Sequence, residues 1–316
     1  MSDLRTAAGT LLAKCMGARA GESVLVVDDN AENPISAALI EAARDMGLEA
    51  MRLTMAPRER SGQEPPDAVA RAMQGADIVL IPTSHSLSHT KSRHAACDAG
   101  ARVASMPGIT PEMFGRTMGA DYDKVAERSR LVADILDKGR EARITTALGS
   151  DLTLTIAGRH AEPDTGLYHA PGMFGNLPAG EAYLAPVEGT AEGTLVVDAS
   201  MAGLGVLASP ITLTFHSGRV TNVEGPGADQ LRANWAAAGE TADWVAELGV
   251  GTNDAAIITG KVLEDEKVYG TVHVALGNNA HFGGINEVPY HADGVITKPT
   301  LAIDGQVIIQ DGEPIF

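Results

Sequence analysis

Basic side chains are scarce in this sequence: 24 Lys and Arg stand against 41 Asp and Glu, for a formal net charge of −17. No basic cluster interrupts that acidity, whereas nucleic-acid backbones and anionic membrane surfaces are held by Lys and Arg. Neither is an expected partner. Cysteine is nearly absent: Cys15 and Cys97 form no Cys-x-x-Cys pair, so no disulfide framework or Cys-rich zinc site can be read, and a reduced, cytoplasmic setting is expected. Both cysteines sit on predicted helices among apolar or small neighbours, in packing roles. Long apolar runs are missing too. Val24–Val27 and Ile78–Ile81 are far below membrane-spanning length, and Met1-Ser2-Asp3-Leu4-Arg5 lacks the apolar core of a signal peptide, so a soluble protein is expected. With 4% aromatic residues and 35 glycines, the core must come from Ala, Val, Leu, Ile and Met, with many tight turns. Familiar motifs are lacking as well. Gly260-Lys261 has no earlier glycine in Walker register and is followed by Val262, Gly203-x-Gly205 opens no dinucleotide fingerprint, and no Gly-x-Ser-x-Gly elbow occurs.

What is present is an alternation of helical and β-branched segments over the first 140 residues. Apolar residues at helical spacing in Leu4–Met16 precede the strand Val24–Val27; helix Ile35–Met46, strand Ala50–Leu53, helix Asp67–Met73 and strand Asp77–Pro82 follow. Helix Lys91–Ala99, strand Arg102–Ser105 and helices from Pro111 and from Tyr122 to Gly139 complete the series, which predicts a parallel sheet flanked by helices. From Ala142 the period changes to two, with strands Arg143–Ala147, Leu152–Ile156, Leu195–Asp198 and Ile211–Phe215, one helix near Asp229–Ala238, and hairpins predicted at Ser217-Gly218 and Asp304-Gly305. The expected fold is α/β: residues 1–140 form an N-terminal parallel-sheet α/β domain, and residues 141–316 a mixed, largely antiparallel β domain carrying the site.

Histidines and carboxylates concentrate in that second half. His291-Ala292-Asp293 places an imidazole and a carboxylate on one side of an extended segment, because side chains two apart in a strand share a face. His273 interrupts the apolar run Val272–Leu276. Glu181 and Glu247 each stand among apolar and small residues, where a buried carboxylate must be paired, protonated or bound to a metal. Together Glu181, Glu247, His273, His291 and Asp293 supply three carboxylates and two imidazoles, a mixed N/O set suited to one or two divalent ions.

These segments resemble the metal-binding motifs of the leucyl aminopeptidase family typified by aminopeptidases T and S, which are dinuclear metallopeptidases. The matching stretches are Asn176-Leu177-Pro178-Ala179-Gly180-Glu181, Ala246-Glu247-Leu248-Gly249, His273-Val274-Ala275-Leu276-Gly277 and His291-Ala292-Asp293. The similarity is strong from Ala142 to Gly305 and loose before it. It implies metal ligation by Glu181, Glu247, His273, His291 and Asp293, two divalent ions (Zn, Co or Mn), and a homodimer. Members carry a tyrosine after the third stretch; Ala280 and His281 stand there in this chain, and His281 is the expected replacement. The same fold family resembles, in a second branch, a mononuclear Fe(II) dioxygenase that opens dihydroxypyridine rings. That branch has a histidine at the position of Glu247, keeps His-x-Asp and lacks Glu181 and His273.

Because all five dinuclear-type residues are present, the expected activity is a metal-dependent aminopeptidase acting on small peptides, with Glu181, Glu247 and His281 catalytic and a metal-activated water as nucleophile. The acidic surface suits an amine-bearing substrate. The ring-cleaving dioxygenase stands second, with His273, His291 and Asp293 as its facial triad, and a non-catalytic metal-binding module third. Glu188 and Glu192 are candidates for a base or an amine contact. His85 and His89, after the strand Asp77–Pro82, are candidate substrate contacts, with Ser86 or Ser88 as helix cap.

Overall fold

The computed structural model describes residues 2–316, which fall into two compact units: residues up to Val125 with Gly166–Ala179, and Ala126–Thr165 with Gly180–Phe316. The first unit is built on five parallel strands in the order Glu49–Thr54, Ser23–Asp28, Ile78–Ile81, Arg102–Ser105 and Phe174–Asn176. Ile78–Ile81 is apolar and buried throughout, as expected of a strand covered on both faces. The helix Pro34–Asp45 shows why such segments coil. Asn33 accepts a hydrogen bond from the Ile35 amide, Pro34 needs no amide at the first position, and Ile35, Ala38, Leu39, Ala42 and Ala43 make one buried stripe. The helix Lys91–Asp98 is capped by Thr90, whose hydroxyl accepts from the Arg93 amide, and not by Ser86 or Ser88.

The second unit contains an eight-stranded and a seven-stranded sheet, both antiparallel in every described pairing. One apolar cluster draws Ile144, Leu154, Leu213 and Leu301 from the former and Leu184, Leu248, Val274 and Ile296 from the latter, so the two sheets share a core. The hairpins turn where expected. Ser217 and Gly218 (φ 49° and 78°) and Asp304 and Gly305 (φ 50° and 81°) adopt the paired left-handed conformations of type I′ turns.

The fold class is the expected one: a parallel α/β region followed by antiparallel sheets. The anticipated boundary at residue 140 falls just past the helix Tyr122–Lys138, whereas the units part inside that helix, at Val125. The stretch Gly166–Ala179 returns to the first unit because Phe174–Asn176 pairs in parallel with Arg102–Ser105. Among the described residues no helix is long and apolar enough to cross a membrane.

Candidate metal centre

Four neighbouring strands of the seven-stranded sheet carry the five predicted ligands: Glu181–Leu184, Val245–Gly251, Val272–Gly277 and His291–Ile296. Directly paired residues in a sheet share a face. Glu181 pairs with Gly251, Tyr183 and His273 with Gly249, Glu247 and Asp293 with Ala275, and His291 with Gly277. All five ligands therefore lie on one face, separated by glycine and alanine. The opposite face presents Ala182, Leu184, Leu248, Val250, Val272, Val274, Leu276, Ala292 and Ile296 to the core.

Two local features make this arrangement possible. Val245 and Glu247 are two residues apart and would share a face in a regular strand; a bulge between them sends Val245 to the core and leaves Glu247 on the polar face. Gly249 lies under the His273 ring, and a Cβ there would stand 2.0 Å from Nε2. The glycine of Ala246-Glu247-Leu248-Gly249 thus makes room for an imidazole on the adjacent strand.

The side chains converge closely. His273 Nε2 is 3.2 Å from both Glu181 Oε2 and Glu247 Oε1, and His291 Nε2 is 3.4 Å from Glu247 Oε2 and 3.5 Å from Asp293 Oδ1. Nδ1 of His291 donates to the Asn278 carbonyl oxygen at 2.8 Å, which turns Nε2 toward the carboxylates, the orientation a metal-bound imidazole needs. His273, Glu181, Glu247 and Asp293 are buried; His291, with its side chain 34% exposed, opens the group to solvent. Burial alone would push the Glu247 carboxyl up, but hydrogen bonds with His273 and His291 hold it down, at about 2. Burial likewise lowers the two imidazoles, and the carboxylates against them reverse this and raise both well above the ordinary value. Tyr183 shares the face, and burial, reinforced by Glu181 and Glu247, raises its phenol so that it stays protonated.

The donor set fits a divalent cation. Glu247, His273 and Asp293 offer ligand atoms within 4.8 Å of one another, as do Glu181, Glu266 and His273. Glu181 Oε2 and Asp293 Oδ1 are buried and face imidazole nitrogens at 3.2 and 3.5 Å without a well-directed hydrogen bond, a pattern that an ion would relieve.

The other sequence candidates lie elsewhere. His281 is exposed on the short helix Ala280–Phe282 and belongs to neither donor group; its neighbour Phe282 is the residue beside the site, T-shaped to Tyr183 and His291 with ring centroids 5.5 and 6.1 Å apart. Glu188 holds the segment following Asn278. It pairs with Arg159 and accepts from Asn279 Nδ2 at 2.9 Å and the Ile285 amide at 2.8 Å. Glu192 is exposed and accepts from the Ser217 amide and pairs with His216. His85 and His89 belong to the first unit, in the loop before Thr90.

Lys267 was not anticipated. Its ammonium is 1% exposed, donates to Glu181 Oε1 and Glu266 Oε1 at 2.5 Å each, and lies 3.8 Å from Asp164. Burial, together with Glu181 and Asp293 and against the pull of Lys267, raises the Glu266 carboxyl to about 8. The segment Glu264-Asp265-Glu266-Lys267 looks in sequence like a solvated charge run; only the short helix Val262–Asp265 turns it inward.

Comparison with known proteins identifies what surrounds these residues. The family model described as "NicX: 2,5-dihydroxypyridine 5,6-dioxygenase" matches residues 4–315. A Pseudomonas putida protein named 2,5-dihydroxypyridine 5,6-dioxygenase is 25% identical over 268 residues, covering 78% of this chain and 73% of that protein. The solved structure of 2,5-dihydroxypyridine dioxygenase from Pseudomonas putida superposes with a TM-score of 0.82 at 21% identity, covering 99% of this chain and 96% of the other. AmpT from Thermus thermophilus superposes with a TM-score of 0.72 at 16% identity, covering 100% and 99%. At those identities the two structures show the shared fold. The match across nearly the whole chain overturns the expected metallo-aminopeptidase, and with it the assignment as hydrolase and protease. The physical reason is that carboxylates and imidazoles select an ion, not a reaction. The same donors serve hydrolytic and oxidative centres, so a count of ligands does not distinguish the two.

Proposed function

Since the chain belongs to the 2,5-dihydroxypyridine 5,6-dioxygenase family, we propose that it is a metal-dependent dioxygenase that opens a dihydroxylated pyridine ring, breaking a carbon–carbon bond of the ring with uptake of both atoms of O2. The match over residues 4–315 carries this assignment. His273, His291 and Asp293 would hold a single Fe(II), with Glu247, in contact with both imidazoles, as a fourth donor in reach. When bound, the ion supplies the redox chemistry that an aromatic ring and O2 need in order to react.

The chain's own groups suit a flat, hydroxylated substrate. Phe282 and Tyr183 meet edge to face beside His291 and offer a ring an apolar wall. The Tyr183 phenol, kept protonated by its buried, carboxylate-rich surroundings, is a hydrogen-bond donor to a substrate oxygen. Glu247, held ionised, can accept a hydrogen bond from a substrate hydroxyl. A cytoplasmic homodimer, with neither nucleic acid nor membrane among its partners, belongs to the same proposal; light scattering checks it against twice the 32.8 kDa chain mass.

The test is oxygen consumption by protein loaded anaerobically with Fe(II) and mixed with 2,5-dihydroxypyridine, followed with an electrode and by loss of the ring's ultraviolet absorbance. One O2 taken up per ring lost is expected. Iron-bearing protein that consumes no oxygen with this compound or its dihydroxypyridine isomers would overturn the assignment.

A further inference from the structure

The two donor groups on the polar face differ in what already neutralises them. In the group Glu247, His273 and Asp293, the positive charge can come only from the two imidazoles or from an added ion. In the group Glu181, Glu266 and His273, both carboxylates are bonded at 2.5 Å to the Lys267 ammonium, with Asp164 3.8 Å behind it. We propose that Lys267 is the resident cation of this second group, standing where a second metal ion would otherwise bind, and that this lysine is what confines the centre to the single ion proposed above. This rests on the metal-dependent oxygenase proposed above.

Space and charge both support it. A divalent ion binds carboxylate oxygens at roughly 2.0–2.2 Å, and an ion shared by Glu181 Oε1 and Glu266 Oε1 would have to occupy the position from which Nζ contacts the same two atoms. Two cations there would repel strongly in a buried setting. Nor is the lysine free to withdraw: its side chain is 1% exposed, its amide donates to the Glu264 carbonyl oxygen at 2.9 Å and its carbonyl oxygen accepts from the Asn253 amide at 2.9 Å. Lys267 is thus a positioning residue, holding Glu181 beside His273 without itself touching an ion.

Metal-free full-length protein is titrated with Mn(II), and bound metal is counted by elemental analysis and examined by electron paramagnetic resonance. Wild type is expected to saturate at one ion with the signal of an isolated Mn(II); two ions per chain would overturn the proposal. Lys267→Ala, which frees the second group, is expected to bind two ions with a coupled spectrum, and a folded variant still limited to one would count equally against it. If Lys267→Ala does not fold, Glu181→Gln decides: it should keep one ion within roughly 100-fold of wild-type affinity, as for a residue outside the ligand set, and loss of that ion would place Glu181 among the ligands and overturn the proposal. Failure of the oxygenase shows separately: one ion without ring opening overturns that assignment alone, and two ions with oxygen uptake overturn only the role of Lys267.

Discussion

The same four strands of the seven-stranded sheet have two faces that obey opposite rules. One is Leu, Val, Ile and Ala, closed into the core and contributing through burial. The other gathers three buried carboxylates, Glu181, Glu247 and Asp293, against His273 and His291, an arrangement that costs stability unless protonated imidazoles or a cation balance the charge. Alternation with period two lets one sequence run build both. The difference teaches where each function of the chain resides: stability on one side of the pleat, chemistry on the other, with Gly249 leaving room on the second side for the His273 ring.

Substitutions on the two faces should separate cleanly. The largest effect is expected from Asp293→Asn, which removes a donor. Fe(II) affinity should fall by more than ~100-fold, beyond the loss typical of residues outside the ligand set, and ring opening with it. Thermal unfolding of the metal-free protein should change far less than the affinity, because Glu247 remains to pair with His291 when the Asp293 charge is removed. Binding by calorimetry and a metal-free melting curve check both halves; parallel loss of metal and stability would erase the distinction between the faces. Leu248→Ala, one residue from Glu247 but on the core side, should do the converse. It should cost about 2–5 kcal/mol of unfolding free energy in denaturant titration while leaving metal stoichiometry unchanged.

Glu188 tests a third kind of contribution, the anchoring of the segment that carries Phe282. Burial tends to raise its carboxyl, but hydrogen bonds from the Ile285 amide and Asn279, with the Arg159 charge, hold it below the usual range. A carboxyl depressed in the folded state stabilises above its unfolded pKa, and that contribution disappears as pH falls through the folded value. Glu188→Gln should therefore destabilise by roughly 1–3 kcal/mol near neutral pH and converge with wild type in acid. A difference that stays constant across a series of melts from neutral to acid pH would show that the ionised carboxylate is not what matters.

How much of this was legible in the sequence follows from the period of each signal. The parallel α/β region and the antiparallel region each announce themselves by hydrophobic spacing. His291 and Asp293 share a face by simple alternation, as the strand His291–Ile296 has them. Convergence of Glu181 and Glu247 with the histidines depends on strand pairing and on the bulge at Val245/Glu247, which no local pattern encodes; their apolar surroundings and the family resemblance point to it only indirectly. Lys267 was hidden because a lysine beside three acidic residues reads as surface, and its burial is decided by a four-residue helix. The return of Phe174–Asn176 to the first sheet is a long-range pairing of three residues and equally silent. The reaction is not legible in the ligands, because the resemblance that separates an oxygenase from a peptidase spreads over residues 4–315.

The smallest predicted effect probes whether the polar face takes an aromatic ring. Phe282 stands T-shaped to Tyr183 and to His291, with ring centroids 5.5 and 6.1 Å apart. Phe282→Leu keeps an apolar side chain of similar size but removes the ring quadrupole. Edge-to-face pairs add about 0.5–1.5 kcal/mol beyond burial, which converts to a rise in KM for a dihydroxypyridine of roughly 2- to 13-fold. kcat and metal content should stay near wild type, because no donor has moved. A fall in kcat at constant KM would instead mean that Phe282 acts on the His291 ring and not on the substrate, moving the aromatic wall from the binding surface to the support of the metal ligands.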